Sequence, residues 1–179
     1  FYRREAEVIY PPIDIKLKTQ MSKVKTTSQN SKVKEIGNYY LMVNRLVWPK
    51  RVDLAIKACK KLGLKLKIVG QGKAEEDLKE LAADNPRIEF LGYVTDQELA
   101  RLYQGCQAVL FLAQEEDFGI TPVEAAAWGK PVIALRSGGV VESVIEGKTG
   151  FFIDKPEVEQ LMVILQKFDK GKLAKIDPR

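Results

Sequence analysis

From position 39 onward, short apolar runs alternate with stretches whose apolar residues recur at helical spacing. The runs predict strands over 39–43, 64–69, 88–91, 108–112, 131–135 and 151–153. Between them the spacing predicts helices over 49–62, 74–83 and 95–103, one opening near Thr121, a short one from about 140, and an amphipathic one over 156–168. Val52, Leu54, Ala55, Ala58 and Cys59 fall on one face of the first, and Thr95 with Glu98 has the spacing of a capping box. The run Ala108-Val109-Leu110-Phe111-Leu112 has no polar position, as suits a strand covered on both sides of a parallel sheet. The expected class is therefore α/β: a Rossmann-like, doubly wound parallel sheet with helices on both faces.

Ahead of this pattern the chain changes character. The stretch 6–10 reads as a short strand stopped by Pro11-Pro12. Lys16, Lys18, Lys23, Lys25, Lys32 and Lys34 then lie in a polar run that includes Thr26-Thr27-Ser28-Gln29-Asn30-Ser31, and they account for much of the net charge of +5. A basic stretch of this kind can attract an anionic membrane or nucleic acid. Without interleaved aromatics it reads instead as a solvated connector, with no nucleic-acid partner expected and peripheral membrane contact left as an option.

At 179 residues, 45% hydrophobic and 30% charged, the chain suits one globular domain with a real core. No apolar run approaches the roughly 20 residues of a membrane span, and no signal-peptide pattern is present, so the expected compartment is the cytosol. Cys59 and Cys106 belong to no metal-ligand cluster and are expected to be reduced thiols. The absence of histidine removes the commonest general base and metal ligand, which argues against a Ser-His-Asp hydrolase or a zinc enzyme.

Candidate chemistry gathers around Glu116-Asp117-Phe118-Gly119-Ile120-Thr121-Pro122-Val123-Glu124, which joins the apolar run at 108–112 to an alanine-rich helix. Gly119 frees the backbone to turn, and Thr121 is expected as the cap with Pro122 at the first helical position. Helix N-termini beyond the carboxyl ends of parallel strands offer free N–H groups to anions, so Glu116 and Glu124 flank a phosphate site. Two plainer readings stand beside this one. Thr121-Pro122-Val123-Glu124 also fits a capping box, and Glu116 is one of three acidic residues in a solvated turn. Gly70-Gln71-Gly72 follows a strand as a dinucleotide-binding turn would, but the third glycine of that fingerprint falls at Glu75. It reads as a turn permitting close backbone approach.

Two glutamates with seven residues and a Phe-Gly between them resemble the signature of retaining glycosyltransferases of the two-Rossmann-domain (GT-B) architecture, family four. The likeness runs over 8–153 and takes in Asn44-Arg45-Leu46, Leu91-Gly92-Tyr93-Val94, Ser137-Gly138-Gly139-Val140-Val141-Glu142 and Gly147-Lys148-Thr149-Gly150-Phe151. It implies that Arg45 and Lys50 stabilise the diphosphate leaving group with the helix N-terminus at Phe118, Gly119, Ile120 and Thr121, without a metal or other cofactor. Glu116 then contacts donor-sugar hydroxyls and Glu124 the ribose, while the backbone at Gly92, Tyr93 and Val94 holds the nucleobase and Leu102 completes its wall. Taken alone, Arg45 and Lys50 suit solvated surface, and Leu102 suits a core position on a helix. Glu142 is read as a structural carboxylate near a helix N-terminus.

The same resemblance implies a chain divided into the end of an absent N-terminal domain (1–14), a basic linker (15–37), a donor-binding domain (38–170) and a tail (171–179). The start at Phe1 is consistent with a piece of a longer protein, and acceptor binding is then expected from the absent domain. Asn44-Arg45-Leu46 and Glu116-Asp117-Phe118-Gly119 look most like mannosyltransferases of surface-polysaccharide or O-antigen assembly, with GDP-mannose as donor and a glycan or lipid-linked acceptor. Three positions depart from the family's pattern: Asp117 replaces the usual glycine, Ala113 a frequent serine, and Asn44 a glycine. The alternative is a nucleotide- or phosphate-binding module without catalysis, which uses Arg45 and Lys50 but does not require Glu116.

Overall fold

The computed structural model describes residues 37–169. The expected strand at 6–10, the lysine-rich stretch up to position 36 and the tail at 171–179 lie outside the described residues. Six parallel strands form one sheet: β1 (Tyr40–Val43), β2 (Leu66–Val69), β3 (Ile88–Gly92), β4 (Ala108–Phe111), β5 (Val132–Leu135) and β6 (Gly150–Ile153), in the spatial order β3-β2-β1-β4-β5-β6. Alternate residues of each strand face opposite sides of the sheet, and each side has its own apolar layer. Helices α1 (Val52–Leu62) and α2 (Glu75–Ala82) cover Tyr40, Met42, Leu66, Ile68 and Leu110 on one side, together with α6 (Val158–Asp169). On the other, α3 (Asp96–Gly105), α4 (Ile120–Ala127) and α5 (Val140–Ser143) cover Leu41, Val69, Val109, Phe111 and Ala134. The doubly wound class expected from the sequence is thus observed, and Cys59 and Cys106 are buried free thiols.

The chain reverses its direction of winding between β1 and β4. In such sheets the crevice outside this point is where ligands bind. Here the crevice is opened further by pairing that stops early: β1 and β4 are in register only at Tyr40↔Ala108 and Leu41↔Val109, whereas β1 follows β2 through Val43↔Val69. Beyond Leu41 the two strands part, and the loops leaving β1 and β4 stand on either side of the gap.

Two local expectations are corrected. The helix expected over 49–62 is interrupted, because Trp48–Lys50 forms a 3-10 turn and Arg51, at φ 51°, breaks it from α1. Lys50 is therefore presented on a separate turn. The helix near Thr121 begins two residues early, at Ile120 instead of Pro122, with Gly119 (φ 76°) as its cap residue, so Thr121 and Pro122 lie inside the first turn. Thr121 makes no cap; its Oγ1 donates to Val43 O at 3.2 Å, across the parted strands. The expected Thr95–Glu98 capping box is present in both directions.

Candidate active site

The loop after β1 is held by its backbone. Leu46, which is buried, donates its N–H to Gln71 O and accepts from Ala74 N, both at 3.0 Å. Gly70 and Gly72 are needed for this contact, since a Cβ on them would stand 1.9 Å from Asn44 O and 2.2 Å from Leu46 O. The Gly-x-Gly turn, read from sequence as permitting close approach, serves the neighbouring loop, and both glycine faces are occupied by backbone. The fixed loop leaves Arg45 exposed and in no ion pair among the described residues, with Lys50 half-buried at its far end. Asn44 Nδ2 is buried without a hydrogen-bond partner among the described residues, an arrangement that costs about 1–3 kcal/mol.

A second loop, after β4, carries the acids. Gln114 N donates to Pro49 O at 2.9 Å, joining it to the first loop, and Glu115 N donates to Ser137 Oγ at 3.1 Å. Gly139 N donates to Glu116 O at 2.8 Å; a Cβ at Gly138 would come within 2.2 Å of that same oxygen. Gly119 is constrained twice, by its positive φ and by Phe111, whose Cζ would lie 2.9 Å from a Cβ there.

Across the crevice Lys50 Nζ forms an ion pair with Glu116 Oε2. Burial, and after it the nearby charge of Arg45, pushes the Lys50 ammonium below its ordinary range, while Asp117 pulls the other way. Two cations held close enough to oppose each other's charge make a local site for an anion. Glu124, one turn into α4, belongs to a neighbouring cluster: its Oε2 accepts from Tyr103 Oη at 2.8 Å. The capping-box reading of Glu124 is thereby corrected, because α4 has no side-chain cap and the carboxylate turns to α3 instead. Burial raises the Glu124 carboxyl above its ordinary value; the Tyr103 hydrogen bond partly offsets this, and the charge of Asp96 adds to it. Burial and Glu124 in turn raise the Tyr103 phenol.

The structure brings Arg45, Lys50, Glu116 and Thr121 to the carboxyl edge of the sheet around the gap between β1 and β4, with Gly119 and Ile120 opening α4 beside them and Phe118 half-buried; Glu124 lies one turn further along α4, against Tyr103. Gly92 (φ 62°) ends β3, Tyr93 and Val94 follow it, and Tyr93 is 80% exposed. Val94 and Leu102 line a separate groove of about 340 Å³ with Tyr39, Lys67, Leu91 and Arg101. Leu102 also packs on the second apolar layer, and its carbonyl accepts from Tyr39 Oη at 2.8 Å, so the core reading holds for part of its surface. Tyr103 is the residue that sequence reasoning missed. Its signal was its place three positions after Ala100 on the buried face of α3.

A Rossmann-like domain with paired cations and paired acids at its topological switch point has the arrangement of a nucleotide-binding transferase domain. The family model for glycosyl transferases group 1 matches residues 23–173, and the chain belongs to that family. It is 33% identical over 141 residues to an uncharacterized glycosyltransferase of Methanocaldococcus jannaschii, a match covering 77% of this chain and 40% of that protein. It is 36% identical over 89 residues to an alpha-1,3/1,6-mannosyltransferase of Dictyostelium discoideum, covering 50% of this chain and 21% of that protein. Among solved structures, Anabaena HepE in complex with UDP and glucose superposes with a TM-score of 0.73 at 25% identity, over 96% of this chain and 50% of that one. The chain thus spans half or less of the length of these proteins.

Proposed function

We propose that this chain is the donor-binding half of a retaining glycosyltransferase that moves a hexose, mannose from GDP-mannose, to a glycan or lipid-linked acceptor held by a second domain at the cytoplasmic side of a membrane. One observation carries the reading: Lys50 is paired with Glu116 across the gap between β1 and β4, with Arg45 close enough to depress it. Breaking the anomeric carbon–oxygen bond sends negative charge to the departing diphosphate, where fixed cations are worth most because that charge is larger in the transition state. Arg45 and Lys50 supply that charge, and the proposal needs no metal for it. A diphosphate taking Lys50 would release Glu116 to hydroxyls of the donor sugar, so the resting ion pair keeps both groups in place until the donor arrives. Glu124, oriented by Tyr103, accepts from the ribose hydroxyls. Support for mannose comes from the motif resemblance and the named activity of the Dictyostelium relative; the UDP bound to HepE makes uracil the competing base.

Calorimetric titration with GDP, UDP and ADP and with their sugar conjugates tests this. The expected result is binding of GDP and GDP-mannose, weakened together by Glu124→Ala, with Glu116→Ala weakening the sugar conjugate alone. Preference for UDP would overturn the base assignment, and equal affinity for free nucleotide and conjugate would favour a binding module without catalysis.

A further inference from the structure

Outside the Lys50–Glu116 pair lies a groove of about 550 Å³ lined by Trp48, Pro49, Arg51, Asp53, Gln114 and Glu115. Its volume falls in the range of about 300–1,000 Å³ usual for small-molecule sites. We propose that this groove is a second carbohydrate subsite that takes a hexopyranoside other than the donor's own sugar. The inference rests on the transferase reading of the neighbouring crevice.

The wall chemistry is that of sugar recognition. Trp48 is 53% exposed, a large apolar surface left open to water on a turn that is firmly fixed. Pro49 restrains that turn from within, Arg51 N donates to Trp48 O at 2.9 Å, and Gln114 N donates to Pro49 O at 2.9 Å. The backbone that carries the indole is thereby fixed, and an exposed indole face can stack on the apolar C–H face of a pyranose. Planar polar groups surround it: the exposed Gln114 amide, the exposed Glu115 carboxylate and the Arg51 guanidinium. Such groups match pairs of vicinal hydroxyls. The guanidinium is ordered from behind by Asp53, a buried carboxylate that accepts from Arg51 Nε at 3.1 Å and from Lys57 Nζ at 3.3 Å.

Position separates the groove from the donor contacts: Pro49 and Glu115 are the chain neighbours of Lys50 and Glu116, and neither member of that pair lines it. Arg45 and Glu124, assigned to diphosphate and ribose, do not line it.

Trp48 is also the reporter. The chain has two tryptophans, so a Trp128→Phe variant leaves its emission alone. Titration of that variant with methyl α-D-mannopyranoside, methyl α-D-glucopyranoside and methyl β-D-galactopyranoside should give a saturable change with at least one glycoside, at a Kd of about 1–50 mM. The same change should persist in saturating GDP or UDP and in Lys50→Gln, and weaken at least about fivefold when Gln114→Ala and Glu115→Gln are combined. No saturable change with any glycoside up to roughly 100 mM would overturn the proposal. So would loss of the change in Glu124→Ala or its displacement by a nucleotide sugar, which would make the groove the donor's own sugar site. If the glycoside binds while no nucleotide does, the donor assignment fails and the subsite stands as a sugar site without it.

Discussion

Replacing Tyr103 by phenylalanine removes one oxygen and little else. The ring is 1% exposed and its hydroxyl donates to Glu124 Oε2 at 2.8 Å, so the variant keeps the packing of α3 on the sheet and deprives a half-buried carboxylate of its donor. A hydrogen bond to a charged group is worth about 1.5–3 kcal/mol and one between neutral groups about 0.5–1.5 kcal/mol. The deficit of Tyr103→Phe should therefore depend on whether Glu124 is ionised. Its folded-state carboxyl is raised by burial, and the tyrosine opposes that rise, so the variant's carboxyl should sit higher still. For an acid raised on folding, the stabilising contribution is fully present below the unfolded value, about 4.3, and is lost as pH climbs through the folded value. The variant should then lie about 1 kcal/mol below the parent at about pH 4, below the unfolded value, and about 2–3 kcal/mol below it once pH has climbed past the folded value. In thermal melts the gap should widen by roughly 2–8 °C between those pH values. Glu124→Gln combined with Tyr103→Phe should abolish the widening. A gap that is flat, or that narrows as pH rises, would show that the hydroxyl does not support an ionised Glu124.

Lys50→Gln should lower affinity for a nucleoside diphosphate by about 10- to 100-fold, as expected for one charge-assisted hydrogen bond, and affinity for the monophosphate by less; calorimetry on both ligands checks the difference. Gly138→Ala places a methyl 2.2 Å from Glu116 O at a φ of 70°, and should destabilise the domain by about 1–3 kcal/mol in urea while weakening sugar-nucleotide binding more than nucleotide binding. Asn44→Ala removes a buried donor that has no partner, and should leave stability unchanged or raise it by up to about 1 kcal/mol; a loss of more than about 1 kcal/mol in the same assay would mean that the amide is satisfied after all.

Much of the fold was legible because period and composition agree. Strands such as Val132–Leu135 are wholly buried, and the amphipathic helices carry their apolar stripe where Leu54, Ala58, Leu161 and Leu165 fall. What escaped was decided by single backbone angles and by contacts between distant residues. Nothing in Trp48-Pro49-Lys50-Arg51 signals a left-handed Arg51, because arginine is compatible with continuing the helix. Thr121 and Glu124 carried the spacing of a cap, yet each makes a tertiary hydrogen bond instead, to Val43 and to Tyr103. Capping is local and visible in sequence; the competing partners lie 78 and 21 positions away and are visible only once the sheet brings α3, α4 and β1 together.

The glycines show how these two levels join. Gly70 with Gly72, and Gly138 with Gly139, each lie beyond the carboxyl end of a strand, where a turn is the ordinary expectation. Both pairs lie against the backbone of another loop: Asn44 and Leu46 for the first, Glu116 and Asp117 for the second. One loop carries Arg45 and Lys50, the other Glu116. Each charged loop is therefore braced by glycine backbone, close enough that a methyl group would displace it. Opposed charges across an open crevice are drawn together by their own attraction and pushed about by any bound anion. On the proposed reading, rigid backing would let Lys50 exchange Glu116 for a phosphate by moving side chains alone, which would keep the cost of preparing the site small. If that reading holds, substitutions at the glycine pairs should alter affinity through the geometry of the loops they support, even where no ligand atom touches them.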